Sequence, residues 1–141
     1  MEHPTDLKIR AFGKTKAELF LNMMIGMFES TGVRLKDGKP AVAKAMAGKV
    51  KLKRLRKVKI KSADEQSLLV DFLSEALTLS DINNEVYFEV KFKKLAETEL
   101  EAEIFGQPVQ RFDLEIKAVT YHGLEMKEKN GGWEAEVLFD I

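Results

Sequence analysis

Cysteine is absent from the chain, which removes both a disulfide framework and any thiolate metal site. That absence accords with a reducing cytosol, and a cytoplasmic location is the expectation. No apolar run reaches the length of a membrane span, so no membrane partner is expected. The opening residues Met1-Glu-His-Pro-Thr-Asp6 hold neither the basic nor the apolar region of a secretory signal. Net charge is missing too: 23 basic side chains meet 23 acidic ones, so the chain as a whole is not a polyanion binder. Catalytic signatures are equally scarce, with no Gly-rich phosphate loop, no His-Glu-x-x-His pair and no nucleophile elbow. The only histidines are His3 and His122. A serine triad through His122 finds no local support, because every serine falls at the end or in the interior of a helical pattern. No repeat or low-complexity segment is evident.

What remains is enough for one domain spanning residues 1–141, with an apolar fraction of 45% to fill its core. Leu7, Ile9 and Ala11 alternate with Lys8, Arg10 and Phe12 and predict a half-buried strand. Thr15-Lys-Ala-Glu18 fits a capping box and opens a helix from Lys16 to about Ser30, with Leu19, Phe20, Met23, Met24, Met27 and Phe28 on one face. The methionines read as core filler in preference to an adaptable binding groove. Residues 34–48 show no period and read as a loop or weak hairpin. Ser62-Ala-Asp-Glu65 reads as a second capping box, opening a Leu-rich helix that ends near Ser80 before a turn at Asp81-Ile-Asn-Asn84. Two strands follow, around Val86–Lys93 and Glu99–Ile104, paired antiparallel with Lys91 and Lys93 facing glutamates. Gly106-Gln-Pro108 reads as a turn, and Asn130-Gly-Gly132 as the turn of a terminal hairpin. The fold class is therefore α+β: two helices packed on a mixed, mostly antiparallel sheet with a C-terminal β-hairpin.

Lys49 to Lys61 carries eight basic residues and no acid, interleaved with Val50, Leu52, Leu55, Val58 and Ile60. The alternation slips between Leu52 and Val58, which predicts a bulge or break. Two readings stand for this run. It is an electrostatic patch for RNA or an acidic partner protein, or it is the guarded edge of a strand. Aromatic stacking residues are absent from it, which argues against recognition of single-stranded nucleic acid.

The stretch Glu115-Ile-Lys-Ala-Val-Thr-Tyr-His-Gly-Leu124 reads as a strand and the turn out of it. It carries Lys117, Thr120, Tyr121 and His122 within six residues, more polar chemistry than a packing strand requires. First and last strands are often neighbours in compact domains, so Asp6 and Asp140 are candidates for one site. With the main-chain carboxylate of Ile141 they would make a hard-oxygen set suited to Ca²⁺ or Mg²⁺. An exposed aspartate is otherwise only a solvated side chain.

Three segments resemble one known family. Glu2-His-Pro-Thr-Asp6 with the strand to Gly13 is similar to the N-terminal signature of the archease family, usually His-Thr-Ala-Asp. Ile116-Lys-Ala-Val-Thr-Tyr-His122 resembles that family's Lys-Ala-x-Thr-Tyr-His strand, and Val137-Leu-Phe-Asp-Ile141 its C-terminal ending. Pro4-Thr5 departs from the pattern but leaves His3 and Asp6 in register. The resemblance spans nearly the whole chain, and no motif of it falls between Arg34 and Lys61. It implies an accessory activator of the RtcB-type RNA ligase of tRNA splicing, a ligase that joins a cyclic-phosphate or phosphate end to a hydroxyl end. Such an activator promotes the ligase–guanylate intermediate and multiple turnover and can broaden nucleotide use. Older descriptions make the family a chaperone or a modulator of RNA methyltransferase. The resemblance also implies a divalent metal, Ca²⁺ or Mg²⁺, held by Asp6, Asp140 and Ile141. Lys117, His122 and His3 become candidates for ligase activation. The partner implied is the ligase, with indirect contact to tRNA, and the protein itself would not be an enzyme. The competing reading is a metal-dependent hydrolase or RNA-modifying enzyme using Asp6, Asp140 and His122.

Overall fold

The computed structural model describes residues 6–33, 54–110 and 112–141. The expected loop at 34–48, the first part of the basic run and His3 lie outside the described residues.

Alternation makes the first strand, β1 (Asp6–Gly13), whose Ala11 is buried while Asp6, Lys8, Arg10 and Phe12 face solvent. Thr15 caps α1 (Lys16–Ser30) by accepting from the Glu18 amide at 3.1 Å, and the six expected apolar residues are the buried face. The three helix methionines are fully buried, so they serve as core. β2 (Arg54–Lys61) leads into α2 (Glu65–Asn83). The cap of α2 differs from expectation: Asp64, not Ser62, accepts from the Ser67 amide at 2.7 Å. Ser62 instead donates its hydroxyl to Asp71 at 2.5 Å. The helix also continues a turn past Ser80, because Asn84 adopts a left-handed conformation (φ 52°) and returns its N–H to the Ser80 carbonyl. β3 (Glu85–Leu95) and β4 (Glu99–Pro108) follow, then β5 (Ala118–Lys129) and β6 (Gly132–Asp140). β4 runs through Gly106 to Pro108, so the turn expected there is strand. Asn130 and Gly131 both have positive φ (52° and 77°), the geometry of a tight hairpin turn that matches strand twist.

The class is α+β as expected, with the strands divided between two three-stranded sheets ordered β1-β6-β5 and β2-β4-β3. Every pairing is antiparallel. Each helix packs against strands of both sheets. Phe20 meets Phe72 of the other helix at 5.7 Å between ring centroids and Phe92 of β3 at 6.2 Å, which joins helices and second sheet in one core.

Over its described part the basic run is a strand, paired with β4 and at the end of its sheet's order among the described residues. Lys57, Lys59 and Lys61 stand opposite Glu103, Glu101 and Glu99 of β4, and on the other flank Lys91 faces Glu103. From Arg54 onward the pairing with β4 has no bulge, and the start of the expected break, at Leu52, lies outside the described residues. Arg54 and Arg56 occupy the same face as buried Val58, where apolar residues would be expected, because a buried acid waits there. Glu85 is 2% exposed. Both its oxygens take the Arg56 guanidinium at 2.9 Å, Arg54 approaches at 3.2 Å, and the buried Tyr87 hydroxyl donates at 2.9 Å. Burial alone would raise the Glu85 carboxyl, but these donors hold it below the usual carboxylate range. Tyr87 is pushed up, first by burial and then by its bond to Glu85.

A depressed folded pKa contributes stability that is present above the ordinary glutamate value, about 4.3, and is lost as pH falls through the folded value. Glu85→Gln should therefore lower unfolding free energy by about 1.5–3 kcal/mol at neutral pH by removing the charge from the buried hydrogen-bonded carboxylate. In urea melts the gap to the unsubstituted chain should close progressively below about pH 4. A gap that stays constant down to acid pH would place the stabilisation in shape and packing instead of charge.

Candidate functional site

β6 is the central strand of the first sheet, and its inner row sets the site. Ala135, Val137 and Phe139 are buried against Ala11, Ile9 and Leu7 of β1. That register places Asp6 directly across from Asp140 on the solvent face. Directly opposed residues have Cβ atoms about 4.5–5.5 Å apart. On the other flank Ala118 of β5 is the partner of Asp140, and the Lys117 amide donates to the Asp140 carbonyl at 2.8 Å. Three distant segments, at Asp6, Lys117 and Asp140, thus meet at one end of one sheet. Ile141, half-buried against the core, follows directly.

Two carboxylates on adjacent strands, with main-chain oxygens beside them, are a hard-oxygen donor set. Water completing about six to eight ligands would suit Ca²⁺, or fewer with ideal octahedral geometry Mg²⁺. Among the described residues no group of three or more His, Cys, Asp or Glu side chains gathers into a metal cluster. The next acid along the same face of β6 is Glu136, and it is engaged: Arg10 reaches it at 2.5 Å and holds its carboxyl below the ordinary range. A cation at Asp6 and Asp140 would therefore rest on those two side chains.

His122 lies elsewhere on β5. Pairing with β6 is regular at Thr120–Leu138, resumes at Glu125–Glu136, and leaves residues 121–124 as an irregularity opposite Val137. Three rungs at about 3.3 Å each put it roughly 10 Å along the strand from Asp140. The expected end of the strand at Gly123-Leu124 is thus a distortion inside one long strand, and Glu115–Lys117 lead into that strand ahead of its start. Gly123 (φ 67°) carries the bend, and a Cβ on it would sit 3.1 Å from a Leu138 methyl. The exposed Tyr121 donates its hydroxyl to Asp71 of α2, a bond that raises the phenol's pKa ahead of burial and charge, and so anchors the distortion. Asp71, in turn held by Ser62, was not anticipated; its signal was a single acid inside Leu68-Leu-Val-Asp-Phe-Leu73. The Thr120 hydroxyl is buried and finds no hydrogen-bond partner among the described residues.

The whole chain, residues 1–141, matches the family model described as "Archease protein family (MTH1598/TM1083)". It is 35% identical to "Protein archease" of Methanosarcina barkeri, over 100% of this chain and 93% of that protein. It is 30% identical to "Protein archease" of Pyrococcus abyssi, over 99% of this chain and 95% of that protein. The solution structure of Methanobacterium thermoautotrophicum protein 1598 superposes with a TM-score of 0.67 at 26% identity, covering 100% and 96% of the two chains. A Thermotoga maritima archease, described as a possible chaperone, shares the fold with a TM-score of 0.64 at 17% identity, covering 100% and 94%. The chain belongs to the archease family. Among the described residues no helix is long and apolar enough to cross a membrane.

Gly123→Ala tests the bend. It forces a side chain into positive φ against Leu138, and about 1–2 kcal/mol of stability should be lost in a denaturant melt. An unchanged midpoint would mean that residues 121–124 rearrange freely.

Proposed function

We propose that this chain is an accessory activator of an RtcB-type RNA ligase in tRNA splicing, working from a divalent-cation site at the Asp6–Asp140 end of its first sheet. The reading takes its partner from family membership, and one observation carries its location. Asp6 and Asp140 are opposed rungs of the ladder, and the Lys117 amide is bonded to the same rung. Opposed like charges are unfavourable in a sheet, and a divalent cation between them turns that repulsion into attraction. Asp6, Asp140 and the main-chain oxygens of Ile141 would hold the cation. When bound, it supplies charge neutralisation for phosphate oxygens. The exposed Lys117 adds a mobile positive charge beside it. His122 and His3 are further activation candidates, His122 from the neighbouring distortion of β5. Exposure of both aspartates leaves such a cation reachable by another protein.

The hydrolase reading requires Asp6, Asp140 and His122 at one centre, and roughly 10 Å along the strand separates them. Turnover of RNA or nucleotide by the protein alone would restore it.

Two measurements test the proposal together. Ca²⁺ or Mg²⁺ should raise the unfolding free energy by about 2.7 kcal/mol at a hundred times its dissociation constant, and Asp140→Asn should abolish that gain while folding is kept. In ligation by a matched ligase, addition of the chain should increase guanylylation and turnover. Asp140→Asn and Lys117→Ala should each lose most of that increase, with Lys117→Ala retaining the metal-dependent stabilisation. Full activation by Asp140→Asn would remove the site from the function.

A further inference from the structure

On the far side of Lys117 the two helices and the segment before β5 enclose a cavity of about 410 Å³. That volume falls within the usual range for small-ligand pockets, about 300–1,000 Å³. Phe28, Leu77, Phe112 and Leu114 supply apolar walls, and Asp81, Glu115 and Lys117 are exposed at its rim. The carboxylate pair described above does not use it.

Its polar chemistry is one-sided. The two buried hydroxyls that line it are committed: Thr31 donates to the Phe28 carbonyl at 2.6 Å and Ser80 to the Glu85 carbonyl at 2.5 Å. Three backbone donors of the enclosing segment are spent as well. The Asp113 and Leu114 amides go to the Thr31 carbonyl at 2.8 and 3.0 Å, and the Lys117 amide goes to Asp140. Acceptors remain, in the carboxylates of Asp81 and Glu115. Both helices also deliver their C-terminal, negative ends here, and neither has a basic residue in its last turn. Among the described lining residues one cation, Lys117, stands against two carboxylates and two helix ends.

We infer that this cavity binds a small organic cation, an ammonium group on an apolar body, with the body against Phe28, Leu77 and Phe112 and the charge at Asp81 and Glu115. An anion of the same shape would find Lys117 but would face Asp81, Glu115 and the two helix ends, and a neutral one would forgo the charge.

The inference is independent of the proposed ligase function and is tested without it. Isotope-labelled protein is titrated with three probes that share a phenyl-alkyl body: 2-phenylethylammonium, 2-phenylethanol and 3-phenylpropionate. The ammonium should give saturable amide shifts at Leu77, Thr78, Phe112 and Ile116 with a dissociation constant of about 1 mM or below. The alcohol and the carboxylate should bind at least about fivefold more weakly. Asp81→Asn combined with Glu115→Gln changes only exposed side chains and should weaken the ammonium by at least about fivefold while leaving the alcohol unaffected. Equal affinity for the three probes, an unchanged constant in the double variant, shifts that map elsewhere, or no saturation up to about 10 mM would each overturn the inference.

Discussion

Everything at the carboxylate site depends on the register of β6 between β1 and β5. Side chains alternate across a sheet, so a slip of one residue would turn Asp140 inward and expose Phe139. The register is held by burial: Val137 and Phe139 are fully buried between Ile9 and Leu7 on one side and Val119 on the other. Fully burying side chains of this size contributes about 1.5–3 kcal/mol each, so a slip that exposed the two would cost a large part of a typical domain's stability of about 5–15 kcal/mol. The two exposed aspartates need contribute nothing to their own placement. Apolar packing on one face of the sheet brings them together on the other, and it can sustain opposed charges there without unfolding.

Much of this was legible in the sequence. The N-terminal strand, α1 with its Thr15 cap, the terminal hairpin and the buried faces of both helices follow from period and punctuation, which are local signals. The misreadings share a cause. Arg54 and Arg56 fill inward positions of β2 because Glu85 lies buried 29 residues beyond Arg56, and the alternation then looks like a broken phase. A charge that packs inward against a distant partner cannot be told from a solvated charge by spacing. Ser62 was read as a cap because its own distant partner, Asp71, was likewise invisible, and Asp64 was equally suited to the position. At the candidate site, the meeting of Asp6 with Asp140 followed from the tendency of first and last strands to pair. The distortion at residues 121–124 did not follow, since its anchor to α2 is a single hydroxyl.

The zero net charge conceals two different uses of charge. On the second sheet, glutamates of β4 lie between lysines of β2 and β3, and pairs such as Lys94–Glu99 at 3.1 Å are exposed. Exposed pairs of this kind stabilise little, so their effect is to specify strand order more than to stabilise. The Glu85 cluster is the opposite case. Its carboxylate is almost fully buried, every oxygen has a donor, and its cost of desolvation is recovered only through complete hydrogen bonding. Strongly perturbed groups are often taken as functional sites. Here the perturbed pair, Glu85 and Tyr87, forms a closed structural unit with no acceptor left for a ligand.

The contrast bears on how a site without a phosphate loop or an activated nucleophile can serve a reaction. A closed cluster has spent its donors and acceptors on itself. The carboxylate end of the first sheet differs in exposure: its aspartates face water, and the nearest acid along β6 is already paired to Arg10. A cation bound by two exposed carboxylates keeps open coordination positions, because two side chains cannot fill about six to eight of them. Those positions suit oxygens from another molecule, whether water, phosphate or a partner's carboxylate. Held there as proposed, a hard cation would be too sparsely coordinated by those two side chains to be enclosed. On that proposal the chain would present the cation to a partner's active site.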